Sequence, residues 1–380
     1  MEFSYSREQQ MVKQMLSDFC EREIAPIAAE IDEEARYPYE TVAKLGELGI
    51  MGMPFPPELG GAGSDYLTYI MAVEEISKTD ASHGVIVQTH NALCCWPIFT
   101  YGTEEQKQKF LPDLLSGKKL GAFGLTEPNA GTDAGGTQTK AVLDGDEWVL
   151  NGSKIFISGG GIADTYVIFA VTEKGIGTKG ISAFIVEKGT PGFTSPKHEN
   201  KMGIRGSIAA ELVFEDCRIP KENLLGQQGK GFKIAMSALD VGRLGIAAQA
   251  LGIAQGAFDE TVKYMKQRKQ FGKTLDKFQA LQFEMANMKT RIDGARFLLY
   301  HAAWARDAGE DKLSPLAAEA KLACSEAASY VVDKAVQFHG GYGYIKDYPV
   351  ERMYRDQKIT EIYEGTSEVM KMVMAGDIFR

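Results

Sequence analysis

The chain has 380 residues, 44% apolar and 24% charged, with a formal net charge of −9. That length exceeds one ordinary core and calls for two or three domains. The acidic balance argues against a nucleic-acid surface, and no apolar run approaches the roughly 18 residues of a spanning helix, so neither nucleic acid nor membrane is an expected partner.

The first stretch, MEFSYSREQQ, is neither a secretory signal nor an arginine-rich transit peptide, so a cytoplasmic protein is expected. Ser6 and Gln9 have the spacing of a capping box, followed by Met11, Met15, Leu16 and Phe19 at helical intervals. Pro26 is expected to kink or end that helix. The run 53–63, rich in proline and glycine, reads as a loop. Helices are expected near 66–79 and 83–101, and a second capping box, Thr103–Gln106, opens another. Five cysteines form no C-x-x-C pair, and His90 with Cys94 and Cys95 lacks a fourth ligand. Buried thiols in a reducing compartment are expected, and no metal.

Near residue 120 the period changes. Asp144-Gly145 and Asn151-Gly152 read as hairpin turns, and 165–171, 181–186 and 209–214 read as strands. From Gly229 long helices return, at about 230–268, 276–309 and 314–339. The fold class is therefore α+β and multidomain, without βαβ alternation. An all-helical domain spans 1–120, an antiparallel β domain 121–228 and a helical bundle 229–380.

Two glycine patterns mislead. Gly175, Gly177 and Gly180 match G-x-G-x-x-G, but a strand follows where a dinucleotide site needs a helix. Gly272-Lys273-Thr274 ends like a P-loop, yet Gln267 stands where the first glycine belongs. More telling are GAFGLTEPNAGTD (121–133) and NGSKIFISGGG (151–161), two strand edges with exposed amides and hydroxyls and an aromatic face at Phe156. Together they suit a planar cofactor.

The run ITEIYEGTSE (359–368) sets Glu364 between Tyr363 and Gly365. A partly dry site raises a carboxylate's pKa and suits it to proton abstraction near neutrality. Gly365 permits close approach of a ligand to the backbone, and Thr366 or Ser367 is placed to cap a terminal helix.

In order along the whole chain, GLTEPNAGTD, NGSKIFIS, NKMGIRGS, FEDCRIP, LDVGRLGIAAQALGIAQ, RKQFGK, HGGYGY and IYEGTSE resemble the acyl-CoA dehydrogenase family, and most closely its short-chain, butyryl-type members. The resemblance implies an N-terminal helical domain, a β middle domain and a C-terminal four-helix bundle. It implies FAD, an acyl-CoA substrate oxidised to the trans-2-enoyl-CoA, electron-transfer flavoprotein as acceptor, and a homotetramer built as a dimer of dimers. By position, Glu364 matches the catalytic base and Gly365 lies beside the thioester. Phe123, Leu125, Thr126, Thr132, Phe156, Ile157 and Ser158 match flavin contacts, Thr132 also facing substrate. Thr366, Ser367 and Glu368 match its adenosine end. Asp240 and Arg243 match substrate contacts. Arg268, Phe271, Gln279 and the run Gln337, Phe338, His339, Gly340 and Gly341 match residues that reach the FAD of a neighbouring subunit; His339 read by itself is a hydrogen-bonded packing residue. Phe156 stands where many members have Trp and Ser158 where many have Thr. Gly242 occupies the position that carries the base in isovaleryl-type members, which strengthens the assignment to Glu364. The same site would also serve an oxidase, an enoyl-CoA reductase in an electron-bifurcating complex, or a dehydrogenase of branched, cyclic or aryl-substituted acyl groups. A non-catalytic scaffold is the reading from outside that class.

Overall fold

Both capping boxes form. In the computed structural model, which describes residues 4–380, the side chains of Ser6 and Gln9 each accept from the other's backbone N–H at the start of α1 (Arg7–Phe19). Helix α1 runs into a π-helical turn, Cys20–Ile24, and stops at Pro26, which has no N–H to continue the ladder. Helices α2 (Ala28–Glu34) and α3 (Tyr39–Glu47) follow, and a turn-rich loop leads to α4 (Tyr66–Thr79). The stretch expected as one helix over 83–101 is three pieces. These are α5 (Ala81–Gln88), a π-helical segment Thr89–Cys95 and α6 (Trp96–Tyr101). Thr103 and Gln106 then cap α7 (Glu104–Leu115).

The middle third is a sheet of β1 (Gly121–Gly124), β2 (Lys140–Asp144), β3 (Glu147–Ser158), β4 (Thr165–Val171), β5 (Ile181–Glu187), β6 (Phe193–Thr194), β7 (Ala209–Pro220) and β8 (Leu224–Leu225). Its order is β6-β7-β3-β2-β4-β5-β8, with β1 added to β4. The expectation of a purely antiparallel sheet needs correction: β1 and β2 both pair with β4 in parallel. Strand β4 lies beside β2 rather than beside its chain predecessor β3, so two reversals bring it back to the direction of β2.

Asp144-Gly145 does turn the β2–β3 hairpin. Asn151-Gly152 does not turn; β3 passes straight through it with a register shift against β7. Gly152 is needed there because a β-carbon would stand 2.7 Å from the Thr139 Cα. The glycine marks a bulge under close backbone approach, which a dipeptide pattern cannot tell from a turn.

The last third is α8 (Gly231–Gln267), a two-strand ribbon of β9 (Lys269–Gln270) and β10 (Lys273–Thr274), α9 (Gln279–Asp307), α10 (Leu313–His339), α11 (Val350–Gln357) and α12 (Ser367–Ile378). At 37 residues α8 is about 55 Å long and serves as the molecule's axle. By length and apolar content it would cross a membrane, but most of it is buried among the other helices. The largest core joins the first and last thirds: Leu16 and Ile76 share one apolar cluster with Ile246, Leu251 and Val331. A second core fills the space between one face of the sheet and α6–α8, and a third covers the opposite face. The helices before and after the sheet are thus one packed body, and strands β4 and β5 lean on α8.

Candidate active site

Where α11 ends, a short 3-10 turn (Lys358–Glu361) leads into the Glu364 loop. Glu364 has φ +52° and Gly365 φ +101°, two consecutive residues in left-handed backbone. Only the second is free of a β-carbon penalty, so the loop is strained at the carboxylate itself. Thr366 then caps α12, its hydroxyl accepting from the Val369 N–H. Tyr363 anchors the loop from the other side by donating to Gln249 Oε1.

The Glu364 carboxyl is held asymmetrically. Gln88 Nε2 donates to Oε1 at 3.0 Å and to the Gly242 carbonyl at 2.9 Å. Oε2 is sealed from solvent and has no partner among the described residues. Burial pushes the carboxyl up to about 7; the Gln88 hydrogen bond and then the charges of Lys321 and Arg243 pull the other way. Arg243, 5% exposed, pairs with Asp240 at 2.6 Å and donates from Nε to the Glu364 carbonyl at 3.3 Å.

Glu364 lines a cavity of about 790 Å³ between the sheet, α8 and the loop. Phe123, Leu125, Thr126, Thr132, Phe156, Ile157 and Ser158 form its sheet side, and Arg243, Glu364, Gly365 and Thr366 its helical side. None of the Thr126, Thr132 and Ser158 hydroxyls is engaged by another group among the described residues. Phe156 is not core: it is 62% exposed and has φ +61°, at a second bulge of β3. That bulge turns the ring out toward the cavity instead of letting it alternate into the sheet.

The loop after β1 is pinned from beneath. Lys154, fully buried, donates to Glu127 at 2.6 Å and to the Leu125 carbonyl at 3.2 Å. Glu127 also accepts from the backbone of Gln138 and Thr139, closing the loop at its base.

Not every expected residue shares this cavity. Arg268, Gln337, Phe338, His339, Gly340 and Gly341 line a separate one of about 540 Å³ at the far end of α8 and α10. Phe271, on the β9–β10 turn, is 93% exposed; Gln279 begins α9. His339 is a packing residue as read, stacked on Tyr264 with Nδ1 on the Ala335 carbonyl at 2.7 Å. Asp240 meets Arg243 and Ser314 rather than the cavity. Ser367 is the first residue of α12 and Glu368 is exposed beside it.

Gln88, Lys154 and Lys321 were not singled out from the sequence. Lys321 donates to the Gly365 carbonyl at 2.6 Å. The signal available for the two lysines was a lone cation in an apolar setting; Gln88 offered none. The glycines of α8 make the room: a β-carbon at Gly242 would stand 2.2 Å from Glu364 Oε2, and one at Gly245 2.1 Å from Gln88 Cγ.

Comparison with known proteins gives three family matches, to the acyl-CoA dehydrogenase N-terminal domain over residues 6–118, middle domain over 122–217 and C-terminal domain over 229–379. Among relatives, the short-chain specific acyl-CoA dehydrogenase of Clostridium acetobutylicum is 60% identical, with both chains covered completely. Butyryl-CoA dehydrogenase from Megasphaera elsdenii superposes with a TM-score of 0.98 at 51% identity, over 100% of each chain. A chain in the solved structure "Electron transferring flavoprotein of Acidaminococcus fermentans: Towards a mechanism of flavin-based electron bifurcation" reaches a TM-score of 0.99 at 54% identity, again over 100% of each.

Proposed function

The chain belongs to the acyl-CoA dehydrogenase family, and from that premise we propose that it oxidises a short, butyryl-type acyl-CoA to the trans-2-enoyl-CoA with FAD. The observation that carries the reading is the buried, unpartnered Oε2 of Glu364 on the wall of a cavity whose opposite wall offers free hydroxyls and an outward-turned aromatic ring. These residues fit a flavin: the sheet-side hydroxyls of Thr126, Thr132 and Ser158 would hold it and Phe156 would pack on it. Bound there, FAD supplies the two-electron acceptor that takes the β-hydride.

The protein's own part is proton abstraction and positioning. Glu364 takes the α-proton on Oε2 while Gln88 fixes Oε1, so the carboxylate cannot turn its free oxygen away from the substrate. A pKa near 7 makes it a stronger base than an exposed glutamate while leaving it ionised just above neutrality. The α-proton of a thioester is weakly acidic, so the carbonyl oxygen needs a donor as the proton leaves. The Glu364 backbone N–H, which has no acceptor among the described residues, is placed to provide one, worth about 3–4 kcal/mol. Arg243 keeps that peptide in orientation through its carbonyl.

Electron-transfer flavoprotein as acceptor and a homotetramer belong to the same reading, supported by the Acidaminococcus likeness and by the separate cavity that carries Arg268 and Gln337–Gly341 of the expected flavin contacts. So does a cytoplasmic setting, which suits five buried free thiols. The Acidaminococcus structure concerns electron bifurcation and therefore favours, as a second reading, the same site run as an enoyl-CoA reductase. The test is to purify the protein, record its visible spectrum and titrate it with acyl-CoAs of increasing length. Flavin absorbance bleached fastest by butyryl-CoA is expected. Silence toward every straight chain would overturn the substrate assignment, and a protein that binds no flavin would overturn the whole reading.

A further inference from the structure

We propose that Lys321 is a positioning residue for the catalytic loop, its ammonium group latching the Gly365 carbonyl so that the Glu364–Gly365 turn keeps its left-handed form. The inference rests on the function proposed above and adds a residue to it.

Lys321 is completely buried in the middle of α10, among small residues such as Ala317, Ala320 and Cys324. No carboxylate lies within ion-pair distance of it among the described residues; its one hydrogen bond goes to the Gly365 carbonyl at 2.6 Å. A buried ammonium with so little compensation costs several kcal/mol. A methionine of similar length would fill the space without that cost, so packing does not account for the charge.

The loop does account for it. Arg243 from α8 holds the Glu364 carbonyl and Lys321 from α10 holds the next one. Two cations on two helices grip two successive peptides of a turn that, at Glu364, no side-chain-bearing residue favours. With the Gly365 carbonyl released, the turn is free to relax toward ordinary backbone, and Oε2 would leave the cavity wall with it.

Lys321 also faces the base electrostatically. The charged groups acting on the Lys321–Glu364 pair are Arg243, which repels Lys321, and Glu361 and Glu368, which attract it. Asp240 is tied up by Arg243. The phenols of Tyr66, Tyr69 and Tyr363 around Glu364 all stay neutral, each pushed up by burial. Burial pulls the ammonium down to about 8, with the Glu364 charge the largest opposing influence. Between about 7 and 8, then, Glu364 is ionised while Lys321 is still protonated.

The experiment compares the FAD-loaded wild type with Lys321→Met, which removes latch and charge, and Lys321→Arg, which keeps both. Flavin content and melting temperature establish that each folds; Lys321→Gln replaces the Met variant should that fail. For Lys321→Met, kcat with butyryl-CoA is expected to fall about a hundredfold with a smaller change in KM. The acid limb of its pH profile should rise by about one pH unit. In Lys321→Arg most of kcat should survive and the alkaline limb near pH 8 should disappear, since arginine stays charged. A Met variant with wild-type kcat and an unmoved acid limb would overturn the proposal. Isotope-edited infrared spectroscopy of the Gly365 carbonyl, the group Lys321 holds, decides the matter without turnover: an amide band moved to higher frequency in Lys321→Met supports the latch, and an unmoved one refutes it. Wild type inactive on every acyl-CoA would instead strike at the proposed function, leaving the infrared result to judge Lys321.

Discussion

Glu364 is kept in a state that the rest of the molecule opposes. It carries a β-carbon in left-handed backbone, its carboxyl is buried, and one of its oxygens is unsatisfied. Each of these costs stability, and each is what a base aimed at a weakly acidic C–H requires. The linkage has a definite sign. An unfolded glutamate titrates near 4.5 and the folded one near 7. The folded state therefore binds more protons across that interval, and stability falls as pH rises through it. Glu364→Gln removes the ionisation while keeping the shape and the Gln88 contact. The variant is expected to be more stable than wild type at pH 8, by at most about 3 kcal/mol, with the gap closing below pH 5. Melting curves at the two pH values check this; a gap that grows toward low pH would contradict the burial argument. Substrate binding should survive in the same variant while turnover drops by about two to four orders of magnitude, the weight of a general base.

Elements meet the site through absences as much as through side chains. On α8, Gly242 and Gly245 leave the hollows in which the Glu364 carboxyl and Gln88 lie. Glycine to alanine inside a helix normally gains about 1 kcal/mol. Gly242→Ala should do the opposite, since its new methyl would stand 2.2 Å from the Glu364 oxygen. Turnover should fall at least tenfold with FAD still bound, which steady-state kinetics beside the flavin spectrum would show. The Lys154–Glu127 pair does for the sheet-side loop what Lys321 does for the catalytic one. Lys154→Met would leave Glu127 buried without its cation, a loss of about 3–5 kcal/mol, and should loosen flavin retention during dialysis.

These same elements show where sequence reading works. Helix starts at Ser6 and Thr103 were legible because a capping box is complete within four residues. The Asn151-Gly152 bulge was not, because it depends on Thr139 approaching from the segment that leads into β2. Glu364 stood out through its own neighbours, whereas Gln88 reaches it across 276 positions and Lys321 reaches Gly365 across 44. No local pattern encodes such meetings. The parallel pairing of β4 was hidden for the same reason, since strand direction follows from which neighbour is chosen.

At the scale of the whole molecule, one chain holds two separate sets of expected flavin contacts. The sheet-side set and Glu364 share one cavity; Arg268 and Gln337–Gly341 share the other. Beside the second, Phe271 projects from the β9–β10 turn at 93% exposure with φ +50°, and Arg268 lies over the Tyr342 ring at 5.5 Å. A phenylalanine so exposed in strained backbone gains nothing from the lone chain's own core. Phe283 and Trp304 are likewise exposed along α9. Such surfaces suit association, and the second cavity of one copy meeting the first of another would complete the cofactor site. On the homotetramer proposed above, light scattering should give the mass of four chains. Phe271→Ser, which touches neither Glu364 nor the sheet-side cavity, should weaken FAD binding by at least tenfold, about 1.4 kcal/mol, while far-UV dichroism stays unchanged. The reading fails if the variant holds FAD as tightly as wild type, or if a monomer carries a full complement of flavin. Either result would mean that one cavity suffices and that the exposed ring serves something other than a neighbour's cofactor.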